Sequence, residues 1–324
     1  MAKSWKEWEK PLIELEENIA KLREVASNEK NQQKAEEFLE KADGYEKRLQ
    51  EFIQVRYSRL GPWEKVLVAR AEPRPYTLDY IHSIFENFTE LGGDRRFGND
   101  NAIVAGPATI AGRSVMVVGH QKGRNIQERQ FRNFAMAKPE GYRKAIRMFE
   151  MAERYRMPVV TFVDTPAADP GIESESRGIS EAIADSMLAM FKLTVPSVSV
   201  VIGEGGSGGA IGIAASSRVY MLEHSIYSVI PPEGCAAILW RAPEKGAQAA
   251  AALRLTAQSA LELGLVDGIL PEPFGGAHRD PLEAATTVKT AILESLSELS
   301  EIDGATLKKQ RYDRFRSMGI WETV

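Results

Sequence analysis

Residues 198–217 read Val-Ser-Val-Val-Ile-Gly-Glu-Gly-Gly-Ser-Gly-Gly-Ala-Ile-Gly-Ile-Ala-Ala-Ser-Ser. β-Branched residues come first, then five glycines in the seven positions Gly203 to Gly209, then small apolar residues. This order predicts a buried strand, a tight turn and the start of a helix. Glycines leave the backbone N–H groups of Gly205 to Ala210 bare of side chains, where a helix start has unpaired donors and partial positive charge. The rest of the chain is expected to present this stretch to a group that carries or develops negative charge.

The setting is a globular one. An apolar fraction of 44% and a charged fraction of 27% over 324 residues allow one large core or two smaller ones. A net charge of -4 argues against nonspecific nucleic-acid binding, which needs a clustered basic surface. No apolar run approaches the roughly 20 residues that span a bilayer, and the first residues lack a signal-peptide core, so a cytoplasmic location is expected. The single cysteine, Cys235, excludes internal disulfides and Cys-x-x-Cys zinc sites.

Along the chain, residues 1–60 are rich in Glu, Lys and Gln and contain one glycine, Gly44. Leu12, Leu15, Ile19 and Leu22 form one helical stripe, and Ala35, Phe38, Ala42, Tyr45, Leu49 and Phe52 follow a heptad spacing. They predict a helical hairpin hinged at residues 27–31, ended by Gly61-Pro62, with an arm-and-linker unit over 1–75. A β-hairpin follows through Ala111-Gly112-Arg113. The basic segment from Lys122 to Arg147 contains Glu128 and Glu140, which favours a solvated, salt-bridged face over a surface for phosphates or an acidic carrier. Helix and strand signals then alternate: a helix over 139–156, a strand over 159–164, a helix over 179–191, and strands over 219–222 and 227–230. Such alternation predicts parallel pairing, with ligand loops at the carboxyl ends of the strands, where Asp164 and Gly203 sit. Residues 76–270 are read as the main domain and 271–324 as a C-terminal helical segment, opened by Asp280 as N-cap, Pro281 and Glu283.

Several chemistries fit the same glycines. Gly203, Gly205 and Gly208 satisfy the dinucleotide pattern Gly-x-Gly-x-x-Gly, with Glu223 twenty residues on, but the following helix is short for a dinucleotide crossover. Gly205, Ser207 and Gly209 satisfy Gly-x-Ser-x-Gly, with Asp267 and His278 following in hydrolase order. A Walker loop is excluded because Gly209, not lysine, follows Gly208. The remaining chemistry uses no side chain: adjacent backbone N–H groups form an oxyanion hole for charge developing on an acyl or ureido oxygen.

Further motifs decide among them. Tyr76-Thr77-Leu78-Asp79-Tyr80, Gly119-His120-Gln121-Lys122-Gly123-Arg124, Pro139-Glu140-Gly141-Tyr142-Arg143-Lys144-Ala145, Pro232-Glu233-Gly234-Cys235-Ala236 and Gly275-Gly276-Ala277-His278-Arg279 accompany the glycines in this order. Together they resemble the carboxyltransferase alpha subunits of bacterial acetyl-coenzyme A carboxylase. The resemblance implies an α/β crotonase-like fold of ββα units with an N-terminal helical hairpin and a C-terminal helix. It implies that Gly208 and Gly209 donate N–H groups to the ureido oxygen of biotin, with Gly205, Gly206, Ser207 and Ala210 lining the carboxybiotin side. Lys122, Arg124 and Asp164 become candidate substrate or carrier contacts. The implied reaction moves the carboxyl group of carboxybiotin to acetyl-coenzyme A, giving malonyl-coenzyme A for fatty acid synthesis. The implied partners are a zinc-bearing beta subunit in an alpha2beta2 assembly, a biotin carboxyl carrier protein and biotin carboxylase. A hydratase or isomerase of the same fold would share the hole but need a side-chain acid or base. Two positions depart from the family pattern: Asp169 replaces an aromatic residue in the loop after Asp164-Thr165-Pro166, and Ile179 stands where glutamine is usual.

Overall fold

A computed structural model describes residues 5–319. Two long helices come first, α1 (Trp5–Asn28) and α2 (Gln32–Tyr57), joined where Asn31 caps α2 by accepting from the Lys34 N–H. Their contact follows the expected stripes with one change. Phe52 is exposed, and Ile53 and Tyr57 are buried in its place. From Leu49 onward the seam advances by four, because an unsupercoiled helix turns every 3.6 residues and drifts off a strict heptad.

Gly61-Pro62 both ends the hairpin and opens a short helix, α3 (Pro62–Ala69), with proline at its first turn. The chain then enters α4 (Thr77–Ile84), whose Asp79 carboxylate accepts from the Tyr76 N–H. Next come the antiparallel hairpin β1 (Ile103–Ile110) and β2 (Arg113–His120), turned at Ala111 and Gly112, both at positive φ. The remainder alternates: α5 (Ile126–Phe131), α6 (Pro139–Tyr155), β3 (Val159–Thr165), α7 (Ile172–Ser176), α8 (Ile179–Lys192), β4 (Ser197–Gly206), α9 (Ser207–Ile211), β5 (Arg218–Leu222) and β6 (Ile226–Ser228). It ends with α10 (Pro232–Trp240), α11 (Gly246–Leu253), α12 (Ala257–Glu262), β7 (Gly268–Leu270), α13 (Pro281–Ser300) and α14 (Gly304–Ser317).

The strands form one mixed sheet in the order β1-β2-β3-β4-β5-β7. All pairs after the hairpin are parallel, and β4 divides its outer edge between two partners. Val198 to Val201 pair with β5, and Glu204 to Gly206 pair with β6. Alternation along the strands sends side chains to two cores. Met116, Val118, Val159, Val163 and Val201 meet α6 and α8 on one face. Val115, Val117, Val160, Phe162, Val198 and Val200 meet α4 and α13 on the other.

Two buried arginines fasten the ends to this frame. Arg74 forks onto the Glu272 carboxylate at 2.6 and 2.7 Å and donates to the Ile202 carbonyl at 2.9 Å. It lies in a segment whose Pro-rich sequence reads as an exposed linker. From α14, Arg311 donates to the Met190 and Leu193 carbonyls and to Ser217 Oγ, which holds the last helix against the end of α8. Near the arm, Tyr57 donates to the buried Glu9 carboxylate, which also faces His278 and Arg279.

Burial alone would raise the Glu272 carboxyl, but the Arg74 guanidinium beside it holds it at about 2. A depressed folded-state carboxyl contributes stability that is complete above its unfolded value and is lost as the pH falls through its folded value. That contribution should therefore disappear between about 4.5 and about 2. Glu272→Gln should cost about 3–5 kcal/mol at neutral pH, because it leaves Arg74 buried without its counter-charge. Denaturant midpoints at pH 7 and across the acid limb measure both effects, and the variant should lack this acid-labile component.

Candidate active site

The glycine stretch lies at the carboxyl end of the sheet, but its geometry differs from a glycine turn. Gly203, Gly205 and Gly206 belong to β4, and the turn is confined to Ser207. Each of the three glycines is opposed by an atom from elsewhere. A Cβ on Gly203 would strike the Asp164 carboxylate, one on Gly205 would sit 2.8 Å from the Tyr227 ring, and one on Gly206 would strike the Pro166 carbonyl. Glycine is needed there for close approach, not for backbone freedom. Ser207 then takes φ +52, a left-handed conformation costing a non-glycine residue about 1–2 kcal/mol, and turns the chain from strand to helix.

Helix α9 is five residues long, so it supplies little macrodipole. What it offers is a first turn of backbone donors to which no side chain caps. The two expected donors are not equivalent. Gly208 is half-buried and has only the Ile183 side chain near the place of a Cβ, at 3.3 Å. Gly209 is buried beneath the backbone of Ala167 and Ala168, with a notional Cβ only 2.6 Å from the Ala167 carbonyl carbon. Ala210 is fully buried. The chain leaving the helix is pinned to β3 and α8 by two buried hydroxyl groups. Thr161 Oγ1 donates to the Ile213 carbonyl at 2.7 Å, and Ser186 Oγ to the Gly212 carbonyl at 2.6 Å. Tyr142 donates from its hydroxyl to the Gly209 carbonyl at 3.3 Å.

Ser207 and Gly208 also stand on the wall of an apolar cavity of about 530 Å³, with Met187, Ile211, Tyr227 and Leu265 among its other lining residues. A volume in this range suits a cofactor-sized ligand whose nonpolar body is buried while one polar atom meets fixed donors.

Behind the glycine strand is a buried charge cluster. Lys122 Nζ, at the end of β2, bridges Asp164 of β3 at 2.7 Å and Glu204 of β4 at 2.9 Å. Glu204 is shared with Arg70 Nε at 2.6 Å, and Arg70 also reaches Glu233 at 2.5 Å. The Asp164 carboxylate accepts from the Glu204 N–H at 2.9 Å. Here the β3–β4 register slips, from Val163 opposite Val201 to Thr165 opposite Gly205. Burial would raise Glu204, but Lys122 and Arg70 hold it at about 2. Burial leaves the Asp164 carboxyl raised despite Lys122.

Lys122 and Asp164, expected as contacts for substrate or carrier, thus have internal partners. Arg124 stacks on the Tyr76 ring, pairs with Asp79 and donates to the Glu72 and Arg74 carbonyls. The basic segment is not one solvated face. Lys122 and Lys144 are inside, Lys144 donating to the Asp100 carbonyl at 2.6 Å, with burial lowering its ammonium to about 8. Burial and the adjacent Lys122 lower His120, at the end of β2, to about 3, so it is neutral.

The competing motifs do not assemble. Asp267 accepts from the Val219 N–H and pairs with Arg314, while His278 faces Tyr57 and Glu9, so each residue of the hydrolase order has unrelated partners. For the dinucleotide pattern, Gly203 and Gly205 lie in the strand and only five residues of helix follow. Among the described residues, no group of three or more His, Cys, Asp or Glu side chains is placed to hold a metal ion. The two departures have local roles. Asp169 accepts from Asn133 Nδ2 at 3.0 Å and from Ser174 Oγ, tying down the loop that roofs Gly209, and Ile179 is buried among the core residues of α8.

The fold is the crotonase-like fold of carboxyltransferases. Solved chains of this kind share the architecture at low identity. A transcarboxylase 12S chain matches with a TM-score of 0.53 at 21% identity, over 67% of this chain and 42% of its own length. A chain of a Pseudomonas malonate decarboxylase hetero-tetramer matches with a TM-score of 0.58 at 17% identity, over 74% of this chain and 94% of its own.

Sequence relatives are much nearer. The acetyl-coenzyme A carboxylase carboxyl transferase subunit alpha of Geobacter metallireducens is 51% identical, over 96% of both chains. That of Thermus thermophilus is 50% identical, over 97% of this chain and 98% of its own. The family model described as acetyl co-enzyme A carboxylase carboxyltransferase-like matches residues 5–319, and the chain belongs to this family.

Lys122 is the pin whose removal tests the charge cluster. Lys122→Met should destabilise the chain by about 3–5 kcal/mol, since Asp164 and Glu204 would share a buried site with only Arg70 to balance them. Lys122→Arg should retain a large part of that loss. Denaturant midpoints of the three proteins provide the comparison.

Proposed function

We propose that this chain carries the carboxybiotin half of an acetyl-coenzyme A carboxyltransferase site, centred on Gly208 and Gly209. The observation that carries the reading is a bare backbone N–H at Gly208 on the wall of an apolar cavity of cofactor size. Carboxybiotin, a substrate presented on a carrier protein, supplies the carboxyl group and, once that group has left, the base for the acetyl methyl. The N–H of Gly208, aided by that of Gly209, stabilises the negative charge on the ureido oxygen. The Met187, Ile211 and Leu265 side chains exclude water around it, which strengthens these donors. The acetyl enolate then takes up the carbon dioxide, and malonyl-coenzyme A is formed.

On this reading the chain's own contribution is electrostatic, and it needs no side-chain base. A beta subunit, taken to carry the zinc, holds the coenzyme A thioester and completes the site in an alpha2beta2 assembly. A biotin carboxyl carrier protein and biotin carboxylase serve it upstream, in the cytoplasm.

An assay of carboxyl transfer to acetyl-coenzyme A, with and without a beta subunit, tests this directly. Activity should require both chains, and turnover of an enoyl thioester by this chain alone would favour the hydratase reading instead. In the two-chain assay, Ser207→Ala should keep kcat within a few-fold. Gly208→Val, which sets a branched side chain over the donor, should lower kcat by about 10²–10³. A loss of that size in Ser207→Ala would sink the backbone mechanism in favour of a serine nucleophile.

A further inference from the structure

On the outer side of the α6–α8 layer, the loop around Asp94 closes a groove of about 650 Å³. It shares no lining residue with the apolar cavity beside Gly208. Five cations line it: Arg95, Arg96, Arg143, Arg147 and Lys192. Among the described residues none of the five is in an ion pair, although the cations of the inner cluster are all paired. The helical arginines are held in place by backbone instead. Arg143 Nη2 donates to the Arg177 carbonyl at 2.7 Å, and Arg147 Nη2 to the Gly92 carbonyl at 2.8 Å. Each keeps further guanidinium donors, and Arg147 Nε is buried with no acceptor.

Four carboxylates share the groove with the five cations, Asp94, Glu150, Glu153 and Asp185, and none of them is within ion-pair distance of any of the five. Asp94 is committed to the N–H groups of Arg96, Phe97 and Gly98, and Glu153 to the N–H and hydroxyl of Thr194. The charges in the groove thus balance to one net positive charge, with the cations the more numerous. Burial, and then the like charge of Arg95, lower Arg147, and the Asp94 carboxylate opposes them only in part. The free guanidinium donors of Arg143 and Arg147 suit a multiply charged anion, since a planar guanidinium fork matches paired phosphoryl oxygens and can hold two at once. Ile146 and Leu188 add an apolar wall, and the volume is that of a small-molecule site, not of a flat docking surface.

We propose that the groove between α6, α8 and the Asp94 loop binds an organic polyphosphate, with Arg143 and Arg147 as its fixed anchors and Arg95 as the closing cation. The site lies apart from the glycine stretch, so its occupancy reports on the chain independently of the carboxyl-transfer reading.

Calorimetric titration of the full chain with inorganic tripolyphosphate tests this. Saturable binding should appear at low salt and weaken as salt is raised. Arg147→Ala should weaken it about tenfold or more, the effect of one lost hydrogen bond to a charged group. Arg147→Lys should fall between, since it keeps the charge and loses the fork. Lys308→Ala, on the exposed face of α14, should bind like the unaltered chain. Circular dichroism checks that each variant is folded, and Arg95→Ala, at an exposed loop position, gives the same reading should Arg147→Ala fail to fold. Absence of saturable binding overturns the proposal. So does an equal loss in Lys308→Ala, or a glutamate peptide that competes as strongly as tripolyphosphate, which would mark a protein-docking face.

Discussion

The contact of one ammonium with two carboxylates governs the placement of the glycine stretch. Lys122 joins the ends of three adjacent strands, β2 through its own backbone, β3 through Asp164 and β4 through Glu204. Bare strand ends at the edge of a sheet fray. Here they are clamped where β3 and β4 lose register, a point that backbone pairing alone leaves weak. Arg70 extends the same clamp to α3, and Glu233 extends it to α10. Burying four charges carries a large desolvation cost that the pairing offsets only when every partner is present. The cluster is therefore best understood as a device for geometry and not for net stability.

That geometry reaches the proposed donors through packing. The Asp164 carboxylate occupies the space that a side chain on Gly203 would need, and the Pro166 carbonyl fills the space beside Gly206. The segment continuing from Pro166 roofs Gly209, and Asp169 holds that segment through Asn133 and Ser174. The hydroxyl groups of Ser186 and Thr161 donate to the Gly212 and Ile213 carbonyls just past α9, which fixes the exit of the helix. A five-residue helix has no stability of its own, so its position is set by these neighbours.

Much of this organisation was legible from residue order. The 3.6 and 2.0 periodicities located α6, α8, β3 and the hairpin, because each is a local pattern. Asp280 and Pro281 announced α13 by capping chemistry, which is also local. The glycines were misassigned in part, since glycine clusters usually mark turns, and the atoms that require Gly203, Gly205 and Gly206 within a strand belong to distant residues. Arg74 and Lys122 were hidden for the same reason. Charged residues are expected outside, and their partners Glu272 and Glu204 lie 198 and 82 positions away. The inequality of Gly208 and Gly209 depends on a roof formed by another loop and has no sequence signal.

The division of β4 between two partners also bears on how the molecule opens. Its first half is held by β5 within the main sheet, while Glu204 to Gly206 are held on that side by the three residues of β6 alone. Detaching β6 uncovers the outer edge of the glycine segment without disturbing the pairing of Val198 to Val201, while the Glu204 N–H stays bonded to Asp164. A partial unzipping of this strand can therefore begin at β6 and stop short of the core, with the Lys122 clamp holding the other edge, so amide protection along β4 should rise in a step toward its amino-terminal half.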